Sequence, residues 1–153
     1  SDIIDDDGTY IMWYTSTKKW EQVDGETVPL CEIKHATSTD GISWERTGDV
    51  CLSLREPAET RIACPSVRQT EDGYEMWYCY ADGLAGYRVG YAISEDGLNW
   101  VRNDDVGGLN PSTEGWDSEM VAYPNIFTYN GETYLFYNGN GYGETGFGYT
   151  KLQ

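Results

Sequence analysis

Residues 72–78 read Asp-Gly-Tyr-Glu-Met-Trp-Tyr, and this stretch decides the fold because the chain repeats it. Residues 7–14 read Asp-Gly-Thr-Tyr-Ile-Met-Trp-Tyr, and residues 130–137 read Asn-Gly-Glu-Thr-Tyr-Leu-Phe-Tyr. Within these copies Trp13, Trp77 and Phe136 recur at steps of 64 and 59 residues. Self-similarity at one such period indicates a repeat architecture.

Two further blocks recur in the same register. Residues 33–44 match residues 88–100, and both copies end in a Ser-x-Asp-Gly-x-x-Trp box, with a shorter third copy at 147–150. Residues 63–67 match residues 122–126 at a step of 59 residues. The box predicts a turn in which Asp bonds backbone amides and Gly takes a positive φ, so its role is structural.

Each unit is predicted to be a four-stranded meander. In the middle unit we expect strands at 64–69, 74–80, 87–94 and 99–102, because Asp-Gly pairs separate runs of alternating aromatic residues. No segment has a helical period with caps. The chain is therefore predicted to be all-β, one partial β-propeller domain of about three blades. Blade one is expected at about 1–52, blade two at about 60–106, and blade three at about 118–153 without its last strand.

Composition excludes several classes of function. The 153 residues hold 10 Lys and Arg against 26 Asp and Glu, a formal charge of −16. This charge argues against nucleic acid and anionic membrane surfaces as partners. No apolar run is long enough to span a bilayer, and the absence of a visible signal peptide favours the cytoplasm, with secretion left open. Twenty-two aromatic residues are too many for a disordered coil.

The residues that commonly hold metals or act as nucleophiles show no spacing that indicates such a site. The four cysteines form no Cys-x-x-Cys pair and are expected to be buried free thiols, with Cys64 and Cys79 able to face each other across a hairpin. His35 is the only histidine, and no Gly-x-Ser-x-Gly elbow occurs. No cofactor is predicted; a structural calcium ion stays open but has no supporting spacing.

The repeated blocks, with residues 115–127 and 137–150, resemble five-bladed propeller proteins of the glycoside hydrolase type. That superfamily includes arabinanase- and xylosidase-like, invertase-like and mannoside-phosphorylase-like enzymes. The resemblance covers nearly the whole chain and corresponds to the last three blades. It implies a glycosidase-like protein, or its truncated remnant, that acts on or binds a glycan. It also implies either a homodimer or missing blades from a longer chain, because an incomplete ring exposes sheet faces.

The alternative is a non-catalytic module that binds glycans or proteins and self-assembles through its open blade faces. Two carboxyl groups near one pocket would favour hydrolysis, whereas scattered carboxyl groups would favour binding or assembly.

Candidate site residues lie before or within the inner strand of each blade. Glycoside hydrolysis needs two carboxyl groups, and the resemblance points to Glu59 and Glu119 on adjacent blades, with Asp117 as base or modulator. Glu119 is the expected acid, since apolar surroundings raise a carboxyl pKa. Among 26 acidic residues, however, any single one is more often a solvated surface charge. Sugar rings stack on aromatic faces and bond polar groups, which nominates seven further residues: Arg61, Arg88, Trp116, Tyr123, Asn138, Asn140 and Tyr142.

Overall fold

The computed structural model describes residues 1–152, which form eleven strands and two short helical turns. The strands are β1 (Asp2–Asp6), β2 (Thr9–Val23), β3 (Glu26–Ser38), β4 (Val50–Leu52), β5 (Glu59–Thr70), β6 (Gly73–Asp82), β7 (Arg88–Ser94), β8 (Val101–Arg102), β9 (Ala122–Tyr129), β10 (Glu132–Asn138) and β11 (Phe147–Leu152). The helical turns are α1 (Asp104–Gly107) and α2 (Asn140–Gly143). No other helix lies in the part of the chain that the structure describes.

The strands pair as three antiparallel meanders, which we call blades one, two and three. Blade one is β1-β2-β3 with β4 on its edge, blade two is β5-β6-β7-β8, and blade three is β9-β10-β11. Blades one and two also share one parallel bridge, between Cys31 and Arg61. The prediction of an all-β chain of propeller blades is confirmed.

The strand bounds differ from the expected ones at the inner strand of blade two. Strand β5 begins at Glu59 instead of residue 64, because pairing with β6 resumes on the far side of an irregularity between Ala63 and Ser66. Cys64 lies in that irregularity with φ 53°, and Tyr123 has φ 54° at the matching position of blade three. The same backbone kink therefore recurs in two inner strands.

One aromatic pair recurs across the second and third strands of every blade. The register places Trp13 opposite His35, Trp77 opposite Tyr91, and Phe136 opposite Tyr149. The ring centroids of these pairs are 6.3, 4.9 and 5.5 Å apart. The repeat read from the sequence is thus also a repeat of three-dimensional contacts.

Both Ser-x-Asp-Gly-x-x-Trp boxes form turns, and the second one joins two blades. In the second box, Ser94 Oγ accepts from the Gly97 amide at 2.9 Å, and Asp96 Oδ1 accepts from the next two amides. The Gly97 carbonyl in turn accepts from the buried Trp13 indole at 2.8 Å, 84 residues away. The structural role predicted for the box is confirmed.

Each core cluster joins two neighbouring blades. Trp13 and Ile33 of blade one pack with Ile62, Met76 and Tyr78 of blade two. A second cluster packs Trp77 and Val89 of blade two against Val121 and Leu135 of blade three. None of the helices within residues 1–152 is long and apolar enough to cross a membrane.

Candidate functional site

The inner strands of the three blades meet around a cavity of about 280 Å³. Its wall consists of residues from β1, β5 and the segment at the start of β9, listed here in chain order: Ser1, Asp2, Cys64, Pro65, Ser66, Tyr123, Pro124 and Asn125. Asp2, Ser66 and Asn125 occupy the same position of the repeat. Sequence reasoning did not select Ser66 or Asn125, although aligning the blocks around Pro65 and Pro124 brings the three residues into register.

A tyrosine cluster stands at the edge of this cavity, between blades two and three. We define it as Tyr87, Tyr123 and Tyr142. The rings of Tyr123 and Tyr142 have centroids 6.0 Å apart, and those of Tyr87 and Tyr142 are 6.3 Å apart. Tyr123 is 41% and Tyr142 is 53% exposed, so two aromatic faces meet solvent beside the cavity.

Polar groups hold the tyrosine cluster in place. The Arg61 guanidinium lies 5.1 Å from the centre of the Tyr87 ring and donates to the carbonyls of Gly83 and Ala85 at 3.0 and 2.9 Å. Asn138 Nδ2 donates to the Tyr142 carbonyl at 2.9 Å. Three residues predicted to bind a sugar, Arg61, Tyr123 and Tyr142, are therefore brought to one place, and Asn138 contacts the loop that carries Tyr142.

Cys64 and Cys79 lie beneath the cluster as free thiols. They pack in one small apolar group with Tyr87, which confirms that the two cysteines face each other. A hydrogen bond from Cys79 lowers the pKa of the Cys64 thiol to about 7. Burial, followed by that same contact, raises the pKa of Cys79. The Tyr123 amide also donates to Cys79 Sγ at 3.1 Å, which ties the start of blade three to blade two.

The three predicted catalytic carboxyl groups lie in different surroundings. Glu59 is 4% exposed, and both its oxygens accept from Arg102 at 2.8 Å. Asp117 is also buried and accepts from the Tyr137 hydroxyl at 3.2 Å. Glu119 is exposed, so the apolar surroundings expected for it are not found there.

The remaining sugar-binding candidates mostly hold the loops of blade three. The Asn140 Oδ1 atom accepts from the amides of Glu119 and Met120 at 2.8 and 3.2 Å, so its amide is engaged within the protein. The Trp116 indole stacks on Tyr137 with centroids 5.4 Å apart and an angle of 19°. Arg88 begins β7 and pairs with Tyr80 of β6.

A larger cavity of about 560 Å³ lies on blade two and includes none of the predicted site residues. Two of its four acidic residues are engaged in structural bonds. Glu75 pairs with Arg68 and accepts from the Tyr91 hydroxyl, while Asp96 accepts from its own turn. Among the described residues, no three His, Cys, Asp or Glu side chains cluster as a set that could hold a metal ion.

Comparison with known proteins places this geometry in a known fold. No family model matches the chain. Two uncharacterised proteins of Mycobacterium tuberculosis, MT1551 of strain CDC 1551 and Rv1502 of strain H37Rv, are each 38% identical over 151 residues, which is 99% of this chain. The chain spans about half the length of these relatives, 49% of each.

Solved structures show the same architecture. The family 117 glycoside hydrolase Zg3597 of Zobellia galactanivorans superposes over 91% of this chain and 47% of its own, with a TM-score of 0.74 and 24% identity. A thermostable family 43 glycoside hydrolase superposes with a TM-score of 0.73 over 99% of this chain and 53% of its own, at 21% identity. The GH32 β-fructofuranosidase BmSUC1 of Bombyx mori superposes with a TM-score of 0.70 over 99% of this chain and 33% of its own, at 19% identity. The chain therefore has the propeller fold of these glycoside hydrolases.

Proposed function

We propose that this chain is part of a carbohydrate-active propeller protein and binds a sugar at the tyrosine cluster. The observation that carries the proposal is the pair of exposed rings, Tyr123 and Tyr142, 6.0 Å apart at the edge of the inner-strand cavity. Sugar rings present C–H faces that stack on aromatic faces, and their hydroxyls need polar partners nearby. Asp2 and Asn125 line the adjoining cavity and supply such partners.

The fold supports a carbohydrate as the ligand class by analogy. The neighbouring structures are glycoside hydrolases, and one of them is a variant of BmSUC1 in complex with sucrose. Fold alone does not assign an activity, so the argument for this chain depends on the exposed tyrosines.

Hydrolysis by this half of a propeller would depend on Asp117 and Glu119. Glu59 is engaged by Arg102, which leaves Asp117 as a buried carboxyl group and Glu119 as an exposed one. In the proposal Glu119 is the acid and Asp117 modulates it. A glycosidase also needs a second carboxyl group across the scissile bond, and further blades of a longer protein would supply it.

Non-catalytic binding is the second candidate, because the carboxyl groups occupy separate contacts and blade three has an exposed aromatic face. Under this reading the chain binds a glycan and associates through that face. Turnover by a longer propeller that includes this chain distinguishes the two candidates: the first predicts hydrolysis that Glu119→Gln abolishes, and the second predicts glycan binding without hydrolysis.

The test of sugar binding is titration calorimetry with sucrose, arabino-oligosaccharides and xylo-oligosaccharides. Tyr123→Ala and Tyr142→Ala should each weaken binding by roughly fivefold, since stacking of one ring contributes on the order of 1 kcal/mol. Trp20→Ala is the matched control, because Trp20 is 64% exposed on the hairpin of blade one. The proposal would be refuted if the two tyrosine variants bound these sugars as tightly as the parent chain. It would also be refuted if the folded parent chain bound none of these sugars at millimolar concentration.

A further inference from the structure

A recurring hydrogen bond joins the second strand of one blade to the inner strand of the blade that follows. Thr15 Oγ1 of blade one accepts from the Cys64 amide of blade two at 3.2 Å. Cys79 Sγ of blade two accepts from the Tyr123 amide of blade three at 3.1 Å. Thr15 and Cys79 are equivalent residues of the repeat, and so are Cys64 and Tyr123. Blade two therefore has a thiol where blade one has a hydroxyl.

The kink of β5 brings a second thiol to this contact. Strand β5 pairs Ala63 with Cys79 of β6, and the register then shifts by one residue before Ser66. Cys64 follows Ala63 and has φ 53°. Side chains normally alternate between the two faces of a strand, but a bulge changes the direction of the side chain that it contains. The Cys64 thiol consequently lies against the Cys79 thiol as its hydrogen-bond partner.

The two thiols differ in what can reach them. Cys64 is the one cysteine among the described residues that line the inner-strand cavity, and it is partly exposed. Cys79 is fully buried in an apolar group with Met120 and Ala122. A small solute in the cavity can therefore reach Cys64 but not Cys79. The hydrogen bond from Cys79 also lowers the pKa of Cys64 to about 7, which favours the thiolate, the form that oxidants attack.

The other two cysteines lack this combination and serve as internal controls. Cys31 and Cys51 are both buried. Cys31 Sγ contacts Thr17 Oγ1 at 3.5 Å, and Cys51 Sγ contacts the Gly97 carbonyl at 3.8 Å. Burial raises the pKa of Cys51 to about 12. Within residues 1–152 neither of these sulfur atoms has a second thiol as its hydrogen-bond partner.

We propose that Cys64 is an oxidation site for a small hydroperoxide and that Cys79 converts the oxidised residue to a disulfide. In the first step the Cys64 thiolate attacks a peroxide oxygen. The S–O bond forms, the O–O bond breaks, and the leaving alkoxide takes up a proton to become an alcohol, or water when the oxidant is hydrogen peroxide.

In the second step the Cys79 sulfur attacks the sulfur of the Cys64 sulfenic acid. The S–S bond forms, the S–O bond breaks, and hydroxide leaves with the Cys79 proton as water. The two sulfur atoms together lose two electrons, and the peroxide gains them.

The disulfide would alter the contact between blades two and three. An S–S bond is about 2 Å long, so the two hydrogen-bonded sulfur atoms must approach each other. We expect this movement to weaken the hydrogen bond that Cys79 Sγ accepts from the Tyr123 amide. Tyr123 belongs to the tyrosine cluster, but the oxidation does not depend on sugar binding there.

Peptide mapping tests the oxidation site. The folded chain is treated with hydrogen peroxide, alkylated in denaturant without reductant, and digested with trypsin. Cleavage after Lys and Arg gives each cysteine its own peptide, and the four peptides are residues 20–34 (Cys31), 47–55 (Cys51), 62–68 (Cys64) and 69–88 (Cys79). Mass spectrometry should show one linked pair, 62–68 with 69–88, and alkylated Cys31 and Cys51. Cys51→Ser is the matched control and should give the same pair.

Cys79→Ser separates the two chemical steps. It keeps a hydroxyl acceptor for the Tyr123 amide, as Thr15 does for the equivalent amide in blade two. In this variant Cys64 should stop at the sulfenic acid, which dimedone traps on peptide 62–68. In Cys64→Ser, dimedone should not label Cys79 at the same peroxide concentration, and labelling of peptide 69–88 there would contradict the assigned order of the two thiols.

Amide exchange followed by NMR tests the effect on blade three. The Tyr123 amide should exchange roughly threefold faster in the disulfide form, since one weak hydrogen bond is lost. The Ile126 amide, held by Ser66 Oγ at 3.0 Å, is the control and should not change. Unchanged exchange of Tyr123 would overturn this effect.

Two results from the parent chain would overturn the oxidation site itself. One is the survival of all four free thiols in a tenfold excess of peroxide. The other is oxidation of Cys64 to the sulfinic acid without a link to Cys79. Both results come from the parent, so they decide the proposal even if a variant does not fold.

Discussion

Glu59 and Arg102 form a two-fold ion pair inside blade two, with both N–O distances at 2.8 Å. Arg102 also bonds Asp104 at 2.9 Å and lies over the rings of Tyr78 and Tyr80. Burial alone would lower the pKa of Arg102, but the hydrogen bond with Glu59 and the neighbouring charges raise it. The guanidinium is therefore fixed as a cation within the core.

This pair predicts that Glu59 stabilises the fold. Glu59→Gln should lower the free energy of unfolding by about 2 kcal/mol, because the buried Arg102 loses one of its two carboxylate partners and keeps only Asp104. Adding Arg102→Met should cost less than the sum of the two single changes, as urea denaturation of the four proteins would measure. If Glu59→Gln instead abolished hydrolysis while leaving stability unchanged, Glu59 would be the catalytic group that the sequence suggested.

Cys64 is predicted to be the most reactive of the four thiols near neutral pH. Its pKa is lowered to about 7 by the hydrogen bond from Cys79, and it borders the inner-strand cavity. The thiolate is the nucleophile, so iodoacetamide labelling of Cys64 should rise with a midpoint near pH 7. Cys79→Ala should move that midpoint toward the ordinary value of 9.0. Mass spectrometry of the labelled peptides gives both midpoints, and identical curves would contradict the assigned cause.

The two Ser-x-Asp-Gly-x-x-Trp boxes predict a stability change at low pH. Hydrogen bonds from the amides of Ser43 and Ile42 lower the pKa of Asp40 to about 2, and those from Asn99 and Leu98 lower the pKa of Asp96 as well. A lowered carboxyl pKa stabilises the folded state above the ordinary value of 3.8. That contribution is lost as pH falls from about 4 towards 2. Thermal unfolding across this range should show a smaller loss in Asp40→Asn and Asp96→Asn than in the parent; an unchanged profile would exclude these turns as the cause.

Trp13 is predicted to contribute much more stability than its exposed counterpart Trp20. Trp13→Phe removes the indole donor by which blade one bonds the Gly97 carbonyl, leaves Trp100 as a donor to it, and opens a small cavity, which should cost about 2 kcal/mol. Trp20→Phe, at 64% exposure, should change the free energy of unfolding by less than about 0.5 kcal/mol. If Trp13→Phe and the parent had equal denaturation midpoints in guanidinium chloride, the contact between the blades would be energetically neutral.

Ser66 is predicted to stabilise the fold through its hydrogen bond from blade two to the Ile126 amide of blade three. Ser66→Ala leaves the Ile126 amide without its acceptor, which should cost between about 1 and 3 kcal/mol. Ser53→Ala, an exposed serine outside the strands, serves as the control. Urea denaturation gives the free energy of unfolding of both variants. If Ser66→Ala were as stable as Ser53→Ala, the hydrogen bond between blades two and three would not stabilise the fold.

The sequence predicts most of the fold because the fold is periodic. Trp77 and Phe136 mark the same place in successive blades, so a comparison of the chain with itself finds the strands and turns. The site follows less fully, because its contacts are not periodic. Asn140 reaches the amides of Glu119 and Met120 from a different loop, and no pattern in either segment indicates that contact. Glu59 likewise resembles a candidate catalyst until Arg102, 43 residues later, is found beside it.

The sharing of each core cluster by two adjacent blades has a consequence for the order of unfolding. Blade two is covered on both sides, whereas blades one and three are each covered on one. Stability in such an array behaves as a sum of nearest-neighbour couplings along a line. We therefore expect the chain to melt from its two ends inward, with the central blade as the last cooperative unit.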